Sequence, residues 1–163
     1  MSLSALLALL LLAAPDPAPT PAPAGTALEQ FFIGATEGSG TVKVIASGGH
    51  KMRDRSRGRM DAQGALILDQ MVEEEGKPAR RRMWRLVRSG GNRVTGTISD
   101  ARGPVTGDVT ANSLHLRYRM KEGPSVEQWI TLQPGGRTAV NRMTFRKFGL
   151  KVATVESTIK KIG

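Results

Sequence analysis

Turn-forming residues recur about every 8–12 positions from Gly40 onward, and this spacing limits the fold more than any other feature of the sequence. Between the turns, short runs alternate apolar and polar residues with a period of two, which is typical of half-buried β-strands. No interval leaves room for the crossover helix that a parallel pair of strands needs. Neighbouring strands are therefore predicted to be antiparallel.

We predict ten strands, at about 41–47, 50–60, 65–74, 79–88, 92–99, 104–111, 113–121, 125–133, 137–146 and 149–160. Eight to ten antiparallel strands usually close on themselves, because closure removes the exposed edges of the sheet. The predicted fold class is therefore all-β, with a single antiparallel up-and-down β-barrel. A two-sheet sandwich is the alternative architecture.

A short helix is predicted before the first strand, at 26–33. Thr26 suits a helix cap, and Glu29 lies three residues later, as in a capping box. The apolar face of this helix comprises Leu28, Phe31 and Phe32. Because these side chains fall at helical spacing, we expect the helix to plug one end of the barrel.

The first 24 residues are predicted to be a leader, and the barrel domain is predicted to span 25–163. Residues 3–14 are apolar, a stretch too short for a membrane-spanning helix, which takes about 20 residues. The run has the length of a signal-peptide core, and Ala22-Pro23-Ala24 fits a cleavage site. We therefore expect export by a cleaved signal peptide. An uncleaved apolar tail is the alternative.

Composition narrows the possible chemistry. The chain carries a net charge of +10, from 24 Lys and Arg against 14 Asp and Glu, so anionic partners are favoured. It has no cysteine, which excludes disulfides, thiolate metal sites, cysteine nucleophiles and thioether lipid anchors. His50 and His115 do not have the spacing of a metal site. No catalytic motif occurs, and no motif predicts a cofactor.

One predicted strand concentrates the positive charge on a single face. Alternation places Lys51, Arg53, Arg55, Arg57 and Arg59 on the same side of it, and we call this set the basic ladder. Single-strand nucleic-acid binders of barrel type add aromatic stacking platforms. With four Phe, two Trp and one Tyr in the chain, nucleic acid is disfavoured. An anionic membrane surface is the predicted partner of the ladder, and a merely solubilising surface is the alternative.

Several strands have a clearly apolar face that should point into the barrel. The inward set includes Leu66, Leu68, Val72, Leu114, Leu116, Tyr118 and Met120. Trp84 and Trp129 are also expected in the core. Small closed barrels can hold one apolar ligand, but a filled core has the same composition. The sequence does not distinguish a cavity from a filled core.

A series of short motifs extends over about 27–160. They comprise Leu28, Phe31, Phe32 and Gly34; Arg82, Trp84 and Leu86; Val94 to Thr97 with Asp100; Val105 to Gly107; Asn112, Leu114, Arg117 and Tyr118; Trp129 and Leu132; Asn141 and Arg142; and Lys147 to Gly149. In the order and spacing of these residues the chain resembles the DUF3833 family, small bacterial envelope proteins of unknown function.

The resemblance implies a lipocalin- or calycin-like barrel located in the periplasm or cell envelope. It implies no established activity, although an association with lipid-modifying gene neighbourhoods favours an apolar or lipid ligand. Many members have a lipobox cysteine that this chain lacks, so it is not expected to be lipid-anchored in that way. The family's recurring polar positions correspond to Asp100, Asn112, Asn141, Arg142 and Lys147.

We therefore have three hypotheses for function. The first is a non-enzymatic barrel that binds a lipid or a small apolar anionic ligand. Its candidate ligand-binding residues are Trp84, Asp100, Asn112, Tyr118, Trp129, Asn141 and Arg142. The second is an interaction module that docks on anionic envelope surfaces through the basic ladder. The third is an enzyme that uses Asp100 as an acid or base.

Overall fold

A computed structural model describes residues 25–163, so the predicted leader lies outside the described residues. The described chain forms one helix followed by ten strands. They are α1 (Ala27–Phe32), β1 (Gly34–Val44), β2 (Gly48–Met60), β3 (Leu66–Glu74), β4 (Arg80–Gly90), β5 (Arg93–Ile98), β6 (Ala101–Val109), β7 (Ser113–Met120), β8 (Ser125–Leu132), β9 (Thr138–Lys147) and β10 (Leu150–Ile162).

The strands form a closed, antiparallel, up-and-down barrel. Each strand pairs with the next in sequence, and β1 pairs with β10 to close the circle. This seam runs from Ala35 opposite Ile162 to Val44 opposite Ala153. The predicted fold class is confirmed, and the sandwich alternative is wrong. Among residues 25–163, no helix is long and apolar enough to cross a membrane.

The predicted and observed strands agree closely except at the start of β1, which begins at Gly34 rather than near 41. This segment is rich in small residues and lacks apolar alternation. The barrel requires small residues there, because a Cβ at Gly38 would lie 2.1 Å from Asp54 Oδ2. At Gly40 it would lie 2.6 Å from Ser157 Cβ. The same residues that obscure the strand in the sequence therefore allow it to fit.

Helix α1 plugs one end of the barrel, as predicted. Thr26 and Glu29 form the capping box, with Glu29 N donating to Thr26 Oγ1 at 3.3 Å and Thr26 N donating to Glu29 Oε2 at 2.6 Å. The predicted apolar face is buried and comprises Leu28, Phe31 and Phe32. We call the plugged end the closed end.

Two long basic side chains fasten α1 to the wall. Lys161 Nζ, near the end of β10, donates to the carbonyl oxygens of Gln30 at 2.9 Å, Phe31 at 3.1 Å and Ile33 at 2.5 Å. A helix end leaves such carbonyls without partners inside the helix. On the other side of α1, Arg88 Nη2 donates to Glu29 Oε2 at 3.0 Å. The plug is therefore held at both of its ends.

The opposite end, which we call the open end, is surrounded by the turns after β1, β3, β5, β7 and β9. Side chains that alternate inward along β4 run from this end toward the helix in the order Arg80, Arg82, Trp84 and Leu86. This order gives a depth scale for the interior, with charged residues near the opening and apolar residues near α1.

The outer wall carries the basic ladder as predicted, with all five side chains exposed on β2. The expectation that Trp129 lies in the core is wrong. Its side chain is 46% exposed on the outside of β8 and stacks on His115, with ring centroids 3.6 Å apart. The alternation of β8 places Gln128 and Ile130 inward, so the tryptophan between them must point outward.

Candidate functional site

The barrel contains a cavity of about 610 Å³ that extends to the open end. Pockets for small molecules typically measure about 300–1,000 Å³, so this space has the size of a ligand site. Its deep part is apolar and rests on α1. The residues of this apolar floor are Phe32, Leu66, Leu68, Leu86, Leu114, Ile130 and Ile159. The interior is therefore a cavity above a packed floor.

One polar chain crosses the wall on β2 to β4. Trp84 Nε1 donates to Gln70 Oε1 at 3.0 Å, and Gln70 Nε2 donates to Asp54 Oδ1 at 3.1 Å. Burial raises the pKa of Asp54, and the hydrogen bond from Gln70 and the charge of Arg82 offset only part of that rise. Burial has this effect on a carboxyl because it disfavours the charged form.

A second polar chain crosses the opposite wall, on β7 to β10. Tyr118 Oη donates to Gln128 Oε1 at 3.0 Å, and Gln128 Nε2 donates to Asn141 Oδ1 at 2.8 Å. Asn141 Nδ2 then donates to Ser157 Oγ at 3.1 Å. All four side chains are buried, and each of them has a partner. These side chains therefore need no hydrogen bond from a ligand.

An ion pair nearer the open end is different. Arg82 Nε lies 2.8 Å from Asp100 Oδ2, and the Arg82 guanidinium sits 4.7 Å from the centre of the Trp84 ring. The pair lacks hydrogen-bond alignment. Within residues 25–163, Arg82 Nε and Nη2 and both Asp100 carboxylate oxygens have no hydrogen-bond partner. Since Arg82 is only 5% exposed, these are buried polar atoms beside a cavity.

The rim of the cavity carries a cluster of charges around Glu74. Its carboxylate accepts from Lys77 Nζ at 2.6 Å and from Arg80 Nη1 at 2.7 Å, and it lies 3.1 Å from His50 Nε2. Partial burial alone would raise the pKa of Glu74. Hydrogen bonds from Lys77, His50 and Arg80 outweigh it and lower the pKa from 4.5 to about 2.

The structure divides the seven candidate ligand-binding residues into two groups. Four face the interior or the cavity, namely Trp84, Asp100, Tyr118 and Asn141. Three lie elsewhere: Asn112 is exposed in the turn between β6 and β7, and Trp129 and Arg142 are paired on the outer wall. Those three do not line the cavity. That Asp100 is an acid or base stays a prediction.

Sequence reasoning missed Asp54, Gln70, Arg82 and Gln128 as cavity residues. A signal for Arg82 existed, because it has the same strand parity as Trp84 and Leu86 and so must share their inward face. The surrounding run of arginines hid that signal. Within residues 25–163, no group of three or more His, Asp or Glu side chains is arranged to hold a metal ion.

Comparison with known proteins supports the fold and the family. A family model described as "Protein of unknown function (DUF3833)" matches residues 21–161. No curated protein has a sequence that matches this chain. The S-type phycobiliprotein lyase CPES from Guillardia theta superposes with a TM-score of 0.66 at 9% identity, covering 83% of this chain and 91% of that one. Rv2717c from M. tuberculosis superposes with a TM-score of 0.65 at 12% identity, covering 85% and 99%. At such identities the likeness is one of fold, that of lipocalin-like calycin barrels.

Proposed function

The chain belongs to the DUF3833 family of proteins of unknown function, and on that premise we propose that it binds one amphiphilic molecule inside its barrel. The apolar tail of the ligand rests on the floor above α1, and its anionic head group contacts Arg82 near the open end. The observation that carries this proposal is the buried Arg82 guanidinium beside a cavity, whose Nε and Nη2 make no aligned hydrogen bond within residues 25–163.

The distribution of unmet hydrogen bonds supports this orientation. The polar chain on β7 to β10 is satisfied internally, so an apolar tail can pass it without leaving a donor or an acceptor unpaired. Arg82 and Asp100 lie nearer the opening, and in the described part of the chain Arg82 Nε and Nη2 and both Asp100 oxygens make no aligned hydrogen bond. A carboxylate or phosphate head would give Arg82 Nη2 a charge-assisted hydrogen bond, the stronger kind.

A matched pair of probes tests the head-group contact. Laurate and dodecanol share one chain length and differ in head-group charge, and each is titrated calorimetrically into the wild type and into Arg82→Met. We expect the variant to weaken laurate by about 10- to 100-fold and dodecanol by less than about threefold, since a charge-assisted hydrogen bond is worth about 1.5–3 kcal/mol. Arg81→Met is the control, because Arg81 lies on the outer face and pairs with Asp69.

Two outcomes would reject the proposal. One is that Arg82→Met weakens the binding of both probes equally, which would show that Arg82 does not contact the head group. The double variant Arg82→Met/Asp100→Asn is the control for the Asp100 carboxylate, which loses its ion-pair partner in the single variant. The other is that neither probe binds the wild type and that lipid extraction with mass spectrometry finds no stoichiometric ligand in native protein. Trp84, which lines the cavity, reports binding by fluorescence in a Trp129→Phe background.

A second candidate function is docking on anionic surfaces through the basic ladder. All five of its side chains are exposed, which favours it. Acidic residues on the flanking strands weaken its field, since Arg55 Nε lies 3.6 Å from Glu37 Oε1 and Arg53 pairs in register with Glu73. Charge reversal at Arg53, Arg55 and Arg57 should abolish salt-sensitive binding to anionic vesicles. Unchanged binding would reject this function.

We also propose that the chain is exported to the cell envelope and cleaved after Ala24. Intact mass measurement of protein recovered from the periplasmic fraction should give a chain that begins at Gly25. Recovery of the full-length chain from the cytosolic fraction alone would overturn this.

A further inference from the structure

We propose that the open end of the barrel docks on the surface of an anionic lipid bilayer through an apolar rim, defined as Ile45, Phe148 and Leu150. These are the most exposed large apolar side chains among the described residues, at 67%, 94% and 72%. The next most exposed reach 46%. The proposal concerns the outer surface and does not require that the cavity holds a ligand.

The three side chains come together because two neighbouring turns carry them. Ile45 follows β1, Phe148 forms the turn between β9 and β10, and Leu150 begins β10. Strands β1 and β10 are paired at the seam, and Ile45 N donates to Val152 O at 3.0 Å. Both turns lie at the open end, beside Val44 and Ala153, which line the cavity. The apolar rim therefore borders the opening itself.

Phe148 is placed at a conformational cost. It has φ of 51°, and it is the one residue other than glycine with positive φ among residues 25–163. Gly149 follows with φ of 78°, so the two form a tight hairpin turn. Turns of this kind favour Asn, Asp or Gly at both positions, because a Cβ disfavours positive φ. Neither turn geometry nor solubility favours an exposed phenylalanine here, whereas a surface that buries the ring does.

Three lysines lie beside the apolar rim, and their charge is the reason to propose an anionic partner. Lys147 Nζ lies 6.0 Å from the centre of the Phe148 ring, and Lys43, Lys151 and Ile45 line one shallow depression. No Asp or Glu occurs from Lys43 to Met52, or from Arg142 to Val152. An apolar tip flanked by three lysines matches an anionic bilayer, since rings and aliphatic groups enter the interface and lysines contact anionic head groups.

Docking in this way would turn the opening of the cavity toward the bilayer. If the cavity binds an amphiphile, as proposed above, the ligand could pass between membrane and barrel without crossing bulk water. That consequence rests on the proposed function, whereas the docking does not. The two can therefore fail separately, and they need separate measurements.

Flotation with vesicles tests the docking. Protein comprising residues 25–163 is mixed with vesicles of phosphatidylcholine alone or of phosphatidylcholine with phosphatidylglycerol. We expect binding to the anionic vesicles. In Phe148→Ser the affinity for them should fall about tenfold or more, because burying the ring contributes about the free energy that corresponds to a tenfold change in affinity. Met83→Ser is the matched control, an exposed apolar residue on the outer wall of β4.

A charge-reversal pair distinguishes the two basic surfaces. Lys147→Glu/Lys151→Glu should lose binding about tenfold or more, whereas Arg53→Glu/Arg55→Glu, with the same change in net charge, should lose distinctly less. Equal losses would show that vesicle binding depends on the net charge of the protein and not on the apolar rim, and would overturn the proposal. So would vesicle binding that Phe148→Ser leaves unchanged.

Two further readouts complete the test. Laurate affinity measured without vesicles should be the same in Phe148→Ser and the wild type, which separates a failed rim from a failed cavity. Sedimentation measures self-association of the same proteins. A dimer that dissociates in Phe148→Ser, with no vesicle binding by the wild type, would assign the apolar rim to contact between two copies and reject the bilayer.

Discussion

Replacing Glu74 with glutamine should destabilise the folded protein at neutral pH and have little effect near pH 2. The carboxylate lies among three groups that donate to it when charged, from Lys77, Arg80 and His50. These interactions hold its pKa well below the ordinary value, so the charged form is bound more favourably in the folded state than in the unfolded chain. Glutamine keeps the shape and removes the charge.

The expected loss of stability in Glu74→Gln follows from the pKa of Glu74. A fall from 4.5 to about 2 corresponds to roughly 3 kcal/mol, at about 1.4 kcal/mol for each pKa unit. The Lys77 and Arg80 side chains are 53% and 44% exposed. Solvent therefore screens the pairs, and the expected loss is about 1–2 kcal/mol. Because the folded pKa is the lower one, this stabilisation is complete above about pH 4.5 and is lost as the pH falls toward 2.

Urea unfolding at about pH 7 and about pH 3, followed by tryptophan fluorescence, measures the difference between wild type and Glu74→Gln. We expect the difference at pH 3 to be less than about half of that at pH 7. Glu73→Gln is the control, because Glu73 is exposed on the outer face of β3. A difference that does not change with pH, or one no larger than the control gives at pH 7, would refute the electrostatic account.

Three further variants test the interior and the plug. Asp54→Asn should stabilise the fold at neutral pH and lose that advantage below about pH 3.8, because burial raises the pKa of the carboxyl and penalises its charge; urea unfolding across pH measures this, and a loss of stability at neutral pH would contradict it. Gly58→Ala should cost about 1–3 kcal/mol, since its Cβ would lie 1.9 Å from the backbone oxygen of Phe32; thermal melting should show no such fall for Gly49→Ala, where the nearest atom is 3.5 Å away. Lys161→Met removes three contacts to carbonyls at the end of α1 and should speed amide exchange there before it affects the strands; exchange that rises uniformly would argue against a local role.

The fold could be predicted from the sequence because the information for it is local. Most turns contain a glycine, proline or asparagine suited to their backbone, and most strands show their two faces by alternation. The capping box of α1 is likewise encoded within four residues, from Thr26 to Glu29. The start of β1 was predicted wrongly because its small residues are required by close contacts with Asp54 and Ser157, which are distant in sequence.

The candidate site could be predicted only in part, because some of its polar side chains point inward, where apolar side chains are usually found. On β8 the polar Gln128 points inward and the aromatic Trp129 points outward, so a reading by residue type assigns both to the wrong side. The alternation of side chains along β8 is sufficient to place both residues. The cavity itself could not be predicted, since inward leucines and valines look the same whether they fill a barrel or line one.

The seam between β1 and β10 has a consequence for how the chain reaches this fold. This seam pairs β1 with β10, so the barrel cannot close until β10 has been synthesised. Until then the sheet exposes two edges and its apolar interior, the state in which β-proteins are most prone to aggregate. Closing so long a loop is also entropically slow compared with forming the nine hairpins. Loss of the C-terminal strand would therefore leave a β-sheet with two open edges that recruits other chains.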